Sequence, residues 1–238
     1  MKSLPVSRTL QALFFLLIVR PFLALVLGVN LRHAERLPQS GPAILVANHN
    51  SHLDTLLLMS LYPLAQLHRV RPVAAADYFL RNPFIAWFAL HIMHILPLSR
   101  RPKKAPSPQP SPQMGEGANV MPKPINEKPL AHIEAALSAG DILILFPEGS
   151  RGEPEKRSAL KSGIAHLMED APTVPVVPIY LRGLGKALPK GDWLPIPFFA
   201  DAWVGEPLRW QGDRATTMRA LETRFAELER EGGAAAWE

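Results

Sequence analysis

The feature that most constrains this chain is a short apolar run that ends abruptly in a polar turn. Ala43 to Ala47 reads Ala-Ile-Leu-Val-Ala, a buried strand by length and composition. Asn48-His49-Asn50-Ser51 breaks it, and Asp54 opens a second apolar segment, Thr55 to Leu61, with the character of a helix. The same design returns at Asp141 to Phe146, Asp-Ile-Leu-Ile-Leu-Phe, which stops at Pro147-Glu148-Gly149-Ser150-Arg151-Gly152 and is followed by a helical stretch, Ser158 to Met168. Arg71 to Ala76, His94 to Leu98, Val174 to Tyr180 and Ala200 to Val204 complete the predicted strands. The prolines of Val174 to Tyr180 mark it as edge-like or strand-terminal. Helical patterns fill Asn82 to His91, Leu130 to Leu137 and the segment after Asp213, with Met218, Leu221, Phe225 and Leu228 inward. Strands alternating with helices predict an α/β fold, an αβα layered domain on a largely parallel mixed sheet.

Strand ends are where such sheets bind ligands. His49 and Asp54 are five residues apart, which on one helix would point them to different faces but across a turn lets them meet. A carboxylate on one imidazole nitrogen fixes the tautomer, and the other nitrogen can then take a proton. That is a triad without its nucleophile, so the nucleophile is expected to be a substrate hydroxyl. By itself the pair reads as a helix N-cap beside a loop histidine. In the second turn, Gly149 and Gly152 permit close backbone approach, Arg151 offers a planar fork to phosphate or carboxylate, and Glu148 can hold that guanidinium. An ordinary surface turn with an ion pair is the alternative.

Composition narrows the partners. With no cysteine among 238 residues, disulfides, thiolate metal sites and a cysteine nucleophile are excluded. Residues 1–104 carry 12 Lys/Arg against 3 Asp/Glu, and residues 105–238 carry 14 against 18. A basic and apolar first half suits an anionic membrane surface, and nothing resembling a nucleic-acid recognition motif accompanies it. Leu10 to Val29 is almost wholly apolar. It lacks a small-residue cleavage pattern for a signal peptide, and Arg20-Pro21 interrupts the roughly 20 apolar residues a spanning helix needs. The preferred reading is two short helices lying in the interface. His91 and His94 straddle an apolar run and read as packed or loop histidines, so no metal is expected.

The expected division is a membrane-associating segment over residues 1–36 and a catalytic domain over 37–238. Eight of the chain's 25 prolines fall between Arg101 and Leu130, with Pro-Ser-Pro-Gln repeated. A disordered, dispensable insert is therefore expected at about 102–126.

Taken together, Asn48-His49-x4-Asp54, Phe146-Pro147-Glu148-Gly149-Ser150-Arg151 and Val174-Pro175-Val176-Val177-Pro178-Ile179 resemble the glycerophospholipid acyltransferases, most nearly those acting on 1-acylglycerol-3-phosphate (lysophosphatidic acid). The resemblance spans roughly Pro42 to Pro207. It implies His49 as the base, Asp54 as its orienting carboxylate, and Glu148, Gly149, Ser150 and Arg151 as the acceptor-binding stretch. Pro178 falls in the motif that shapes the acyl-donor site, and Arg100 takes the place of a phosphate-binding arginine. The implied reaction carries an acyl chain from acyl-CoA or acyl carrier protein to a lysophospholipid, with no cofactor. The implied place is a membrane, at the cytoplasmic face of a bacterial inner membrane. Other lysolipid acceptors, such as an ornithine-lipid precursor, and a non-catalytic lipid-binding role stay open. A serine-hydrolase reading of Ser150 fits poorly, because Glu-Gly-Ser-Arg-Gly is not Gly-x-Ser-x-Gly.

Overall fold

The structure is a computed structural model, and it describes residues 5–79, 82–98, 130–152, 155–188, 192 and 194–234. Arg100 and the proline-rich stretch lie outside the described residues. In chain order the elements are α1 (Pro5–Phe14), a π turn (Phe15–Val19), α2 (Arg20–Val26), β1 (Leu27–Arg32), β2 (Ala43–Ala47), α3 (Leu53–Ser60), β3 (Val70–Ala75), α4 (Ala76–Phe79), α5 (Pro83–His91), β4 (Leu96–Leu98), α6 (Ala131–Ser138), β5 (Ile142–Leu145), α7 (Gly163–Asp170), β6 (Val176–Arg182), α8 (Leu184–Ala187), β7 (Phe198–Val204) and α9 (Arg214–Ala234).

Seven strands form one sheet in the order β1-β7-β6-β2-β5-β3-β4. Every pairing is parallel except β6 with β7. Side chains alternate across a strand, and β2 shows what that does here. Ala43, Leu45 and Ala47 pack with α3 and with Phe15, Val19 and Leu23 of the N-terminal helix, whereas Ile44 and Val46 pack with Ile133 of α6, Leu167 of α7 and Phe225 of α9. Helices thus cover both faces, and the αβα layering expected from the alternating pattern is what forms. The last helix is capped as its sequence indicates, with Asp213 Oδ1 accepting from the Thr216 amide at 2.8 Å.

Two expectations are corrected. Leu10 to Val29 does not make two helices broken at Arg20-Pro21. The helix continues to Val26, and residues 27–32 then form an edge strand parallel to β7. Proline lacks an N–H and its ring crowds the carbonyl four residues back. The π turn just before it, where the Arg20 amide reaches back five residues to Phe15 O, opens the ladder at that point and lets the helix pass. Because β1 belongs to the sheet, the division at residue 36 does not separate a helical segment from it. The second correction concerns Val174 to Tyr180, which becomes central strand β6, held between β7 and β2. Its proline is accommodated by position. The Val176 amide donates to Leu208 O, so even positions of β6 face the β7 side, and the ladder with β7 starts only at Ile179. The missing N–H of Pro178 falls in the gap between the two.

The N-terminal helix lies across the domain. Ser7 at its start bonds His91 O and His94 Nε2, its middle packs on α3, and its end runs into β1. Its 21 residues from Val6 to Val26 measure about 32 Å, and seven strands spaced about 4.8 Å apart measure about 29 Å. The helix is therefore long enough to cover the full width of the sheet. Phe15, Val19, Leu23 and Leu27 are buried along one stripe, each worth about 1.5–3 kcal/mol relative to exposure.

Candidate active site

The site forms where β2, β5 and β6 end side by side. Asn48, buried at the end of β2, extends the sheet with its side chain. Its Oδ1 accepts from the Leu181 amide at 2.7 Å and its Nδ2 donates to Leu181 O at 2.8 Å, replacing a main-chain rung. Asn50 Nδ2 donates to the same carbonyl at 3.0 Å, and Ser51 Oγ donates to Leu188 O. The turn is thus bolted to β6 and to the segment after it.

Held by these bonds, His49 Nδ1 lies 2.9 Å from Asp54 Oδ2. Asp54 is fully buried and 18% of the His49 side chain is exposed, so the carboxylate is shielded and the far ring edge faces the opening. Asp54 Oδ2 also accepts from the amides of Asn50 and Ser51 at 2.7 and 2.8 Å. Its Oδ1 is buried with no hydrogen-bond partner among the described residues. Burial accordingly pushes the Asp54 carboxyl above its ordinary range, against the opposing pull of the His49 contact and the two amides. The flat face of His49 rests on Phe146 from β5's end, with ring centres 4.2 Å apart and 20° between planes.

Glu148 faces the same turn. Its Oε1 accepts from the His49 amide and its Oε2 from the Ser158 amide, both at 3.1 Å, and burial raises its carboxyl above the usual value. Gly149 adopts φ +74°, a backbone shape that favours glycine, and the end of the Lys161 side chain lies over it. Ser150 is exposed at the crest of this turn. Arg151 stands close enough to the β2 turn that its charge, after burial and together with His49, depresses the pKa of His52. The Gly152 amide points to His49 O at 3.4 Å.

The structure thus brings His49, Asp54, Glu148, Gly149, Ser150 and Arg151 to one end of the sheet. It does not bring Pro178 there: that residue is buried within β6, opposite Val46 and against Gly205, so any influence on a donor passes through the strand. Asn48, Asn50 and Phe146 sit in the motifs read from the sequence, but nothing local announces that an asparagine will bond a residue 133 positions away. His91 and His94 are not brought together as a ligand pair, since His94 bonds Ser7 and His91 Nδ1 lies on Trp87 O.

The family model described as Acyltransferase matches residues 28–182. The chain is similar to the chloroplastic 1-acyl-sn-glycerol-3-phosphate acyltransferase LPAT1 of Arabidopsis thaliana, 30% identical over 165 residues that make up 69% of this chain and 38% of that protein. It is also similar to the human 1-acyl-sn-glycerol-3-phosphate acyltransferase alpha, 27% identical over 154 residues, 64% of this chain and 45% of that one. The chain therefore spans less than half the length of these relatives. Among solved structures, the 1-acyl-sn-glycerophosphate (LPA) acyltransferase PlsC of Thermotoga maritima superposes with a TM-score of 0.65 at 21% identity, covering 98% of this chain and 81% of that one, a likeness of fold.

Proposed function

This chain belongs to the Acyltransferase family, and on that premise we propose that it transfers an acyl group from acyl-CoA or acyl carrier protein to the free hydroxyl of a lysophospholipid, with lysophosphatidic acid as acceptor and phosphatidic acid as product. The observation that carries the reading is the His49–Asp54 pair at the open end of the sheet. With Nδ1 committed to Asp54 at 2.9 Å, that nitrogen bears the proton and Nε2 is left as an acceptor. A glycerol hydroxyl is a weak nucleophile at neutral pH and needs such a base as it attacks. The acceptor O–H bond breaks toward Nε2, the new C–O bond forms at the thioester carbon, the C–S bond breaks, and the imidazolium returns its proton to the departing thiolate. The products are one ester and one thiol, and Asp54 stabilises the transient imidazolium.

Arg151 supplies a fork for the acceptor phosphate, which holds the neighbouring hydroxyl in place. The names of the relatives support the choice of acceptor, because both are 1-acyl-sn-glycerol-3-phosphate acyltransferases.

Membrane attachment is part of the same proposal. The N-terminal helix buries one stripe and exposes Val6, Leu10, Leu13, Leu16, Leu17, Ile18 and Leu25. Helix α5 is apolar all round, yet only Ala89 in it is buried, and Phe84, Ile85, Trp87 and Leu90 face outward. Helices of that composition belong in a core or in lipid. Phe14 meets Phe88 edge-on at 5.3 Å, which ties the two helices into one surface. Arg20, mid-helix, donates to Tyr62 O and points into the domain. This arrangement supports a helix lying in one leaflet with the domain on its own side. The membrane we propose is a bacterial inner membrane, at its cytoplasmic face.

The test is thiol release from acyl-CoA on anionic vesicles, with and without acceptors. Release that depends on lysophosphatidic acid supports the transferase. Acceptor-independent release indicates a hydrolase, and none at all leaves a lipid-binding protein. Arg151→Ala should cost about 1.5–3 kcal/mol on the phosphorylated acceptor if one charged hydrogen bond is lost, and a wild type indifferent to the phosphate would remove Arg151 from this role.

A further inference from the structure

Three carboxylates stand around the ends of β2, β5 and β6, and each grips a pair of main-chain amides. Asp54 takes those of Asn50 and Ser51, and Glu148 those of His49 and Ser158. The third is Glu155, which belongs to no motif described above. Its Oε2 accepts from the Gly183 amide at 2.8 Å and its Oε1 from the Gly185 amide at 3.1 Å. We propose that Glu155 is a positioning residue for acceptor binding: its carboxylate staples the segment that follows Arg151 to the turn between β6 and α8, and so fixes where the Arg151 guanidinium can stand. This rests on the reading of Arg151 as the acceptor's phosphate ligand.

Local geometry shows that the staple is imposed rather than incidental. Glu155 sits at φ +62°, a region that residues other than glycine rarely occupy and keep only where surrounding bonds hold them there. Across from it, Gly183 is at φ +91°, and an added Cβ would meet Phe199 O at 1.9 Å. Position 183 can hold no side chain, and the amides of Gly183 and Gly185 are presented to Glu155. Glu155 therefore adopts an uncommon backbone shape to meet a turn that only glycine can make.

The staple also completes a ring. Asn48 ties the His49 turn to Leu181, and Ser51 ties it to Leu188. Glu155 ties the β6–α8 turn between those points to the segment after Arg151. That segment returns to its start through the Gly152 amide at His49 O, Ser158 at Glu148 and the Lys161 amide at Pro147 O. Removing Glu155 opens the ring at one link and leaves the His49–Asp54 contact and its two amides untouched. The loss should therefore fall on holding the acceptor and not on proton removal.

The full-length protein carrying Glu155→Ala, Glu155→Gln, Arg151→Ala or both alanines is assayed on vesicles containing lysophosphatidic acid or monoacylglycerol, and amide hydrogen exchange is followed in parallel. Glu155→Ala should raise the apparent KM for lysophosphatidic acid about tenfold, the scale of one weakened charged hydrogen bond, with kcat within about twofold and monoacylglycerol turnover little changed. Glu155→Gln, which keeps one accepting oxygen, should recover part of this. Added to Arg151→Ala, the second alanine should change nothing, because both act on one contact. Exchange should quicken at Gly183, Gly185 and residues 148–152, with β2 and β5 still protected. Equal losses on both acceptors, or a full added loss in the Arg151→Ala background, would overturn the positioning role. Unchanged exchange at 148–152 would overturn it too, even if the wild type proved to transfer no acyl group at all, an outcome that would sink the proposed function separately.

Discussion

The turn after β2 and the outer face of α1, α2 and α5 are built on opposite terms. At the turn, Asn48, Asn50, Ser51 and Asp54 are buried, the first three bonded to β6 or the segment after it and Asp54 bonded within the turn. On the helical face, large apolar side chains stand in the open, with Leu25 84% and Phe84 75% exposed. Burying polar groups is costly unless they are bonded, so the bonds made at this turn narrow it to few geometries. Exposing apolar groups is costly in water and free in lipid, so a helical face completed by a bilayer, as proposed, asks for no single geometry. On that proposal precision sits at the dyad and tolerance at the membrane.

The largest effect expected from breaking this contrast is at His49. His49→Ala should lower acyl transfer by about 10²–10⁴-fold, the range a positioned base contributes, with circular dichroism and vesicle binding unchanged. Wild-type thiol release from that variant would remove His49 from the mechanism. Next in size is the helical face. Phe84→Ser with Trp87→Ser should weaken partition into anionic vesicles by roughly 10- to 100-fold, since each large side chain is worth about 1.5–3 kcal/mol on full burial and here is buried only in part. Turnover of a short-chain, water-soluble acceptor should hold. Unaltered sedimentation with vesicles would show that α5 does not touch lipid.

Asn48→Ala sharpens the comparison from the other side. The buried Leu181 amide would lose its partner and the Leu181 carbonyl would keep only Asn50 Nδ2, which should cost about 1–3 kcal/mol in a urea titration, with a smaller loss of activity as the His49 turn loosens. No shift in the midpoint would mean that β6 does not hold this turn.

The smallest expected effect is acid sensitivity. Asp54 and Glu148 both carry folded-state pKa values raised above the ordinary carboxylate range, chiefly by burial. As pH falls through those raised values the folded protein takes up protons before the unfolded chain does, so these two groups favour the fold on acidification rather than weaken it. Activity should nevertheless fall, because a protonated Asp54 no longer stabilises an imidazolium. Transfer should therefore decline at a pH where the circular dichroism spectrum is still native. Simultaneous loss of the two signals would show that other groups govern the acid limit.

Local chemistry was legible in the sequence. An apolar run followed by Asn-His-Asn-Ser, and another followed by Pro-Glu-Gly-Ser-Arg, place two turns at two strand ends from nearest neighbours alone. Alternating strands and helices then imply the layered sheet that brings those ends together. The five-residue spacing of His49 and Asp54 needed only a turn to close to 2.9 Å. What tertiary structure decided is everything that depends on a partner far along the chain. Leu27–Arg32 is a strand because Phe198–Val204 offers it an edge, although Leu27 to Val29 read as the tail of an apolar helix. The interruption at Arg20-Pro21 is crossed because the π turn opens the ladder there and Tyr62 O receives the guanidinium. Asn48 bonds Leu181 and Glu155 bonds Gly183 and Gly185 because the sheet order sets β6 beside β2. Periodicity and turn chemistry are written within a few residues, and hydrogen-bond partners tens of residues or more apart are chosen only when the chain assembles around its sheet.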